Sequence, residues 1–180
     1  EWPVLQGNGW VDLIMTSWSL ADIQAGREAE ALERLQLAFP GPLEAIDSQF
    51  YELLQPVVVL GALYKQTGDP ERGEALLRDY LDYLRSEDNP WTLITTHRTE
   101  FTVLAMLGET DAALDKLAAA VEAGHIYQWW ALRDGAFDPD YAAVVADPRF
   151  EALYRRIEAR IGEQREAFLA QPELPEEYLP

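Results

Sequence analysis

The sequence predicts an all-α protein: three helical hairpins in series, closed by a C-terminal helical cap. Three observations carry that reading. Apolar residues recur at spacings of three and four along most of the chain, and no stretch alternates as a strand would. Four Asx-Pro pairs (Asp69-Pro70, Asn89-Pro90, Asp138-Pro139, Asp147-Pro148) mark helix starts. In each, the Asx side chain can cap free N–H groups and proline takes the first turn, where its missing N–H costs little. Finally, Gly26, Gly68 and Gly108 interrupt apolar helical runs at intervals of 42 and 40 residues.

Taken in order, Glu1 to Gly9 carries Pro3, Gly7 and Gly9 and reads as a loop. Val11, Ile14, Met15, Trp18 and Ala21 predict a helix from Trp10 to Ala25. Ala31, Leu32, Leu35, Ala38 and Phe39 predict a second, from Ala29 to Phe39, which Pro40-Gly41-Pro42 stops. Leu43 to Gln66 is helical by pattern, with Pro56 expected to kink or divide it, because proline lacks the N–H and clashes with the preceding turn. Asp69-Pro70 opens the next helix, whose apolar face is Leu76, Leu77, Tyr80, Leu81 and Leu84. A polar loop at Ser86 to Asn89 follows, then helices from Trp91 to Leu107 and Asp111 to Ala123, with Gly124 at the C′ position. A long helix from about Pro148 to Leu169 ends the folded part. The hairpins therefore span 10–39, 43–85 and 90–124, the cap 125–170, and one domain covers 1–170. Residues 171–180 hold three prolines and three glutamates and read as an exposed tail.

The hairpins share a pattern. Five residues after each breaking glycine stands a small residue, Ala31, Gly73 or Ala113. Nine after stands Leu35, Leu77 or Leu117, and at twelve and thirteen come Ala38-Phe39, Tyr80-Leu81 and Ala120-Val121. Four before stand Asp22, Tyr64 and Leu104, a looser match. Small residues let paired helices approach, and large ones fill the gap to the next hairpin.

These residues carry a resemblance. Leu60-Gly61, Tyr64, Gly68-Asp69, Gly73, Leu77 and Tyr80 resemble the tetratricopeptide repeat, whose period is about 34. The longer interval here is a departure, as is the absence in register of the family's proline after the second helix, although Pro40 and Pro90 come soon after two of the three. The resemblance covers about residues 10 to 124. Beyond it, Trp129-Trp130, Asp138-Pro139 and Asp147-Pro148-Arg149-Phe150 are similar to a segment closing certain bacterial tetratricopeptide domains. Those domains are attached to winged-helix regulators, adenylate cyclases, kinases or sulfatases. The resemblance implies a TPR-like solenoid acting as an accessory module, and Trp129, Trp130, Phe137, Tyr141, Phe150 and Tyr154 are expected to cover the last hairpin. An excess of arginine over lysine, with abundant alanine, associates with GC-rich bacterial genomes.

Composition narrows the function classes. Apolar content of 48% is enough for a packed core. A net charge of −18 argues against nucleic acid, since phosphate contact needs a basic face, and against an anionic membrane surface. No segment is apolar for long enough to insert in a membrane. The chain contains no cysteine, so disulfides and thiolate metal sites are excluded and the compartment, cytoplasmic or periplasmic, stays open. It opens at Glu1 without a signal-like or Met-led segment, which leads us to expect a mature or excised part of a longer protein.

No catalytic residue or cofactor is expected. His97 and His125 lack ligands at metal-binding spacing, and Glu100 beside His97 is commonplace. Asp134, Asp138 and Asp140 lack the glycine and terminal glutamate of an EF-hand and read as caps and turns. Glycine-rich phosphate loops and nucleophile elbows are absent. In the resembled family the first helix of each hairpin lines a peptide-holding groove. Carried across, its positions are Thr16 and Gln24, Lys65 and Gln66, and Thr95, Arg98 and Thr102. Lys65 and Arg98 would meet a carboxylate there. A non-catalytic module binding a protein or peptide is therefore the leading expectation. A structural or homodimerising element that transmits state to an attached effector is the alternative, and a small-ligand or enzymatic pocket is the lesser one.

Overall fold

The computed structural model describes residues 9–41, 56–86, 96–124 and 129–170. It is all-α, with no strand among the described residues. Six helices come in pairs: α1 (Gly9–Gln24) with α2 (Glu28–Ala38), α3 (Pro56–Gln66) with α4 (Pro70–Arg85), and α5 (Thr96–Met106) with α6 (Thr110–Ala123). A 3-10 helix (Trp129–Phe137), a short α7 (Pro139–Val145) and a long α8 (Pro148–Leu169) follow. Each hairpin packs within itself and then on the next, through α2 on α3 and α4 on α5, while α7 lies on α5 and α8 on α6.

The breaking glycines explain the pairing. Gly26, Gly68 and Gly108 all have positive φ, at 72°, 101° and 73°, a conformation that glycine adopts without Cβ strain. Around each, the N–H of the following residue donates to the carbonyl five residues back: Arg27 to Asp22, Asp69 to Tyr64 and Glu109 to Leu104, every one at 2.9 Å. This is the Schellman closure of a helix end. Four residues on, Ala31, Gly73 and Ala113 donate back to Arg27, Asp69 and Glu109 and begin the partner helix. Three turns of one geometry thus reverse the chain three times.

Packing follows the sequence register. Ala31, Leu35, Leu77, Ala113 and Leu117 are all buried. The middle hairpin makes the closest approach: a Cβ on Gly73 would stand 2.5 Å from the Gly61 carbonyl oxygen, and one on Gly61 would stand 2.6 Å from Leu77 Cγ. The expected caps form as well. Asp69 accepts from the Arg72 N–H at 3.3 Å, Asp138 from Asp140 and Tyr141 at 3.0 Å each, and Asp147 from Arg149 at 2.8 Å. Gly124 closes α6 with φ 79°, and Arg160 on α8 donates to the nearby Val121 carbonyl at 3.1 Å, where a cation suits a helix C-terminus.

Two expectations need correction. The apolar stripe that predicts α1 is only partly the face that α1 buries: Met15 packs against the core, but Ile14 and Trp18 are 60% and 49% exposed, while Thr16, Ser19 and Asp22 are buried beside Ile23. Periodicity identifies a helix but not which side meets its neighbour. Of the aromatic residues expected to cover the last hairpin, Tyr141 and Phe150 are buried and Trp129, Phe137 and Tyr154 half-buried, but Trp130 is exposed. Pro56 is buried in described α3, and the residues before it, over which it was expected to kink or divide the helix, lie outside the described residues. The leading loop up to residue 8, the helical pattern over 43–55, the Asn89-Pro90 cap, the start at Trp91, His125 and the tail 171–180 lie outside the described residues.

Candidate functional site

Gln24 and Gln66 occupy the same register, two residues before Gly26 and Gly68, so the repeated turn delivers both amides to equivalent places at the ends of α1 and α3. Both line a cleft of about 630 Å³, together with Leu20, Ile23 and Glu28 and, from the 3-10 helix, Arg133, Ala136 and Phe137. Gln66 Nε2 donates to the Phe137 carbonyl at 3.2 Å, which leaves its amide oxygen for another donor. Gln24 is exposed.

One residue earlier, Lys65 turns to the C-terminal segment. Its Nζ donates to the Met106 carbonyl and pairs with Asp138 Oδ2 at 3.2 Å and Asp140 Oδ2 at 2.7 Å. The carboxylate that Lys65 was expected to meet on a partner is met inside the chain. Asp138 is wholly buried and caps α7 with its other oxygen. Burial pushes its carboxyl above the usual range, against the lowering effect of the Tyr141 N–H and of Lys65.

The remaining candidates stand elsewhere. Thr16 is buried in α1, and its hydroxyl has no hydrogen-bond partner among the described residues. Thr102 is fully buried and donates to the Arg98 carbonyl at 3.2 Å, and Arg98 is itself only 7% exposed. Thr95 lies outside the described residues. The cleft thus gathers Gln24 and Gln66, with Lys65 behind its wall, and is not lined by Thr16, Arg98 or Thr102.

Sequence reasoning missed the wall. Arg133 donates to Glu151 Oε2 at 2.8 Å and its guanidinium lies 4.4 Å from the Tyr154 ring centroid, so α8 holds it in place. Arg133 in turn keeps the Glu151 carboxyl below its usual range, with Arg155 adding to the effect. The available signal was charge scarcity: with 32 acidic residues against 14 basic ones, each lysine is surrounded by potential partners. Both lysines are in fact engaged, Lys116 with the buried Glu100 at 3.0 Å.

Chemically, the cleft offers amides, an arginine whose charge is paired, the carboxylate of Glu28 and an apolar floor. Amides donate and accept hydrogen bonds but neither ionise nor attack, so the lining suits recognition of backbone or amide groups. Among the described residues no group of three or more His, Cys, Asp and Glu is placed to hold a metal ion, and no helix is long and apolar enough to cross a membrane. No family model, no curated protein and no solved structure matches this chain.

A second concavity lies on the outer side of the first hairpin. Met15 and Trp18 of α1 and Arg34, Leu37 and Ala38 of α2 line a groove of about 480 Å³, with Glu30 and Glu33 along it. Arg34 stacks over Trp18 at 4.0 Å from the ring centroid and pairs with Asp22 at 2.5 Å.

Proposed function

We infer that the protein is a non-catalytic protein- or peptide-binding module of the tetratricopeptide type, an accessory or regulatory part of a bacterial multi-domain protein. Three hairpins with one turn geometry, a small residue five positions after each glycine and a buried leucine nine after it support the repeat reading. The observation that carries the binding role is the cleft lined by both register-equivalent glutamines, Gln24 and Gln66, together with apolar Leu20 and Ile23. Glutamines so placed would clasp the backbone of an extended segment, whose apolar side chains would enter against Leu20 and Ile23.

Selection of a displayed random-peptide library tests this. The expected outcome is a family of peptides that bind the wild-type protein with Kd of about 1–100 µM, corresponding to roughly 5–8 kcal/mol. Gln24→Trp, which fills the cleft from an exposed position, should weaken that binding at least about tenfold while circular dichroism stays unchanged. Peptides that bind Gln24→Trp as well as wild type would remove the cleft from the reading.

A further inference from the structure

We propose that the outer groove of the first hairpin docks a partner helix carrying an apolar stripe flanked by basic residues. The groove is not an ordinary solvated face. On α1 the polarity is mixed: Thr16, Ser19 and Asp22 are buried beside Ile23, while Ile14 and Trp18 point outward at 60% and 49% exposure. Leu37 of α2 joins them at 77% exposure. Two soluble helices would ordinarily place these residues the other way round, since each buried hydroxyl without a partner costs stability and each exposed large apolar side chain forgoes it. Met15 and Trp18 are three residues apart, as are Arg34 and Leu37, so each helix gives the groove one side. A third helix fits such a groove through anchors at i, i+3, i+4 and i+7.

Charge selects the occupant. Glu30 and Glu33 stand along the groove, and its one cation, Arg34, is held inward by the carboxylate of Asp22 and the face of Trp18. The groove therefore presents negative charge around an apolar floor, on a chain of net charge −18. A second copy docked across a two-fold axis would set the same glutamates against one another. A helix with lysines or arginines beside its apolar stripe would meet them favourably.

The test uses synthetic helical peptides with leucine and phenylalanine anchors, flanked either by lysine or by glutamate, titrated by fluorescence anisotropy. The lysine peptide should bind at least about tenfold more tightly than the glutamate peptide. Leu37→Ser, a neutral change at a largely exposed position, should weaken binding of the lysine peptide about tenfold through loss of apolar contact. Replacing both Glu30 and Glu33 by lysine should reverse the preference between the two peptides. Equal binding of both peptides, binding indifferent to Leu37→Ser, no binding of either, or a concentration-dependent dimer abolished by Leu37→Ser in sedimentation equilibrium would each overturn the proposal.

Discussion

At the C-terminal end of the three hairpins, Phe101, Tyr141 and Phe150 close on one another, with ring centroids 5.6 Å and 6.0 Å apart, and all three are buried. At the N-terminal end, Ile14, Trp18 and Leu37 face water, and polar Thr16, Ser19 and Asp22 are buried beside Ile23 on α1. Both ends belong to helical pairs built on the same glycine turn, so the turn does not decide how an end is finished. What differs is what packs there among the described residues. The third hairpin is followed in the described chain by α7 and α8, which bring their own aromatic rings, whereas the outer side of the first is a groove. Hairpins expose apolar surface wherever stacking stops, and a chain either covers it or presents it.

The largest contrast is expected from truncating one ring at each end. Phe150→Ala should cost about 3–5 kcal/mol in a denaturant titration, because it removes a fully buried ring packed on Phe101 and Tyr154. Trp18→Ala should cost under about 1 kcal/mol, being half exposed with mainly the Arg34 stack to lose. Similar costs at the two sites would mean that the ends are equally packed. Next in size is Lys65→Met, expected to cost about 2–4 kcal/mol because it leaves the buried Asp138 without its cation. A loss under about 0.5 kcal/mol would reduce the Lys65 pairings to surface contacts.

Acid should separate the ends by sign. Near the first turn, the hydrogen bond from Arg27 holds the Asp22 carboxyl below its ordinary value of 3.8, burial opposes this, and Arg34 reinforces it. A lowered folded value gives stability that is present above 3.8 and lost as pH falls through the folded value. Asp138 does the reverse: its folded value is raised, so the folded protein takes up that proton first, and stability rises as pH falls from the folded value towards 3.8. Denaturation midpoints measured between about pH 3 and 7 should therefore show a shallower acid loss in Asp22→Asn and a steeper one in Asp138→Asn. The smallest effect is expected inside α1. Ser19→Ala should be neutral or stabilising by up to about 1 kcal/mol, since the buried Ser19 hydroxyl has no partner to lose. A cost above about 1 kcal/mol would show that the hydroxyl is hydrogen-bonded in solution.

These contrasts also mark what could be read in the chain. The three turns, the Asp-Pro caps at Asp69, Asp138 and Asp147, and the buried Leu35, Leu77 and Leu117 were legible because each is specified by a handful of neighbouring residues. A positive φ at glycine or a cap oxygen three residues from its N–H is a local event. The orientation of α1 was not legible, because the stripe through Ile14 and Trp18 is as good a helical signal facing outward as inward. Nor was the far wall of the cleft. Pairing Lys65 with Asp138 and Asp140 requires α7 to lie on α5, and no local pattern encodes that. Gln24 and Gln66 emerged together because the register that aligned the glycines also aligned them.

The Lys65 clasp has a consequence for how the molecule opens. In a linear array coupled only between neighbours, stability is a chain of adjacent terms, and unfolding can begin at one end and progress unit by unit. Lys65 ties the second hairpin to α7 across 73 residues of sequence and, through the Met106 carbonyl, to α5 as well. Opening α7 must then release a charge held by α3, so the two cannot fray independently. Amide hydrogens of α3, α5 and α7 should exchange with one shared opening free energy, while those at the N-terminal end of α1 exchange earlier. Lys65→Met should split that shared class in two, turning one cooperative unit into a sequence of smaller ones.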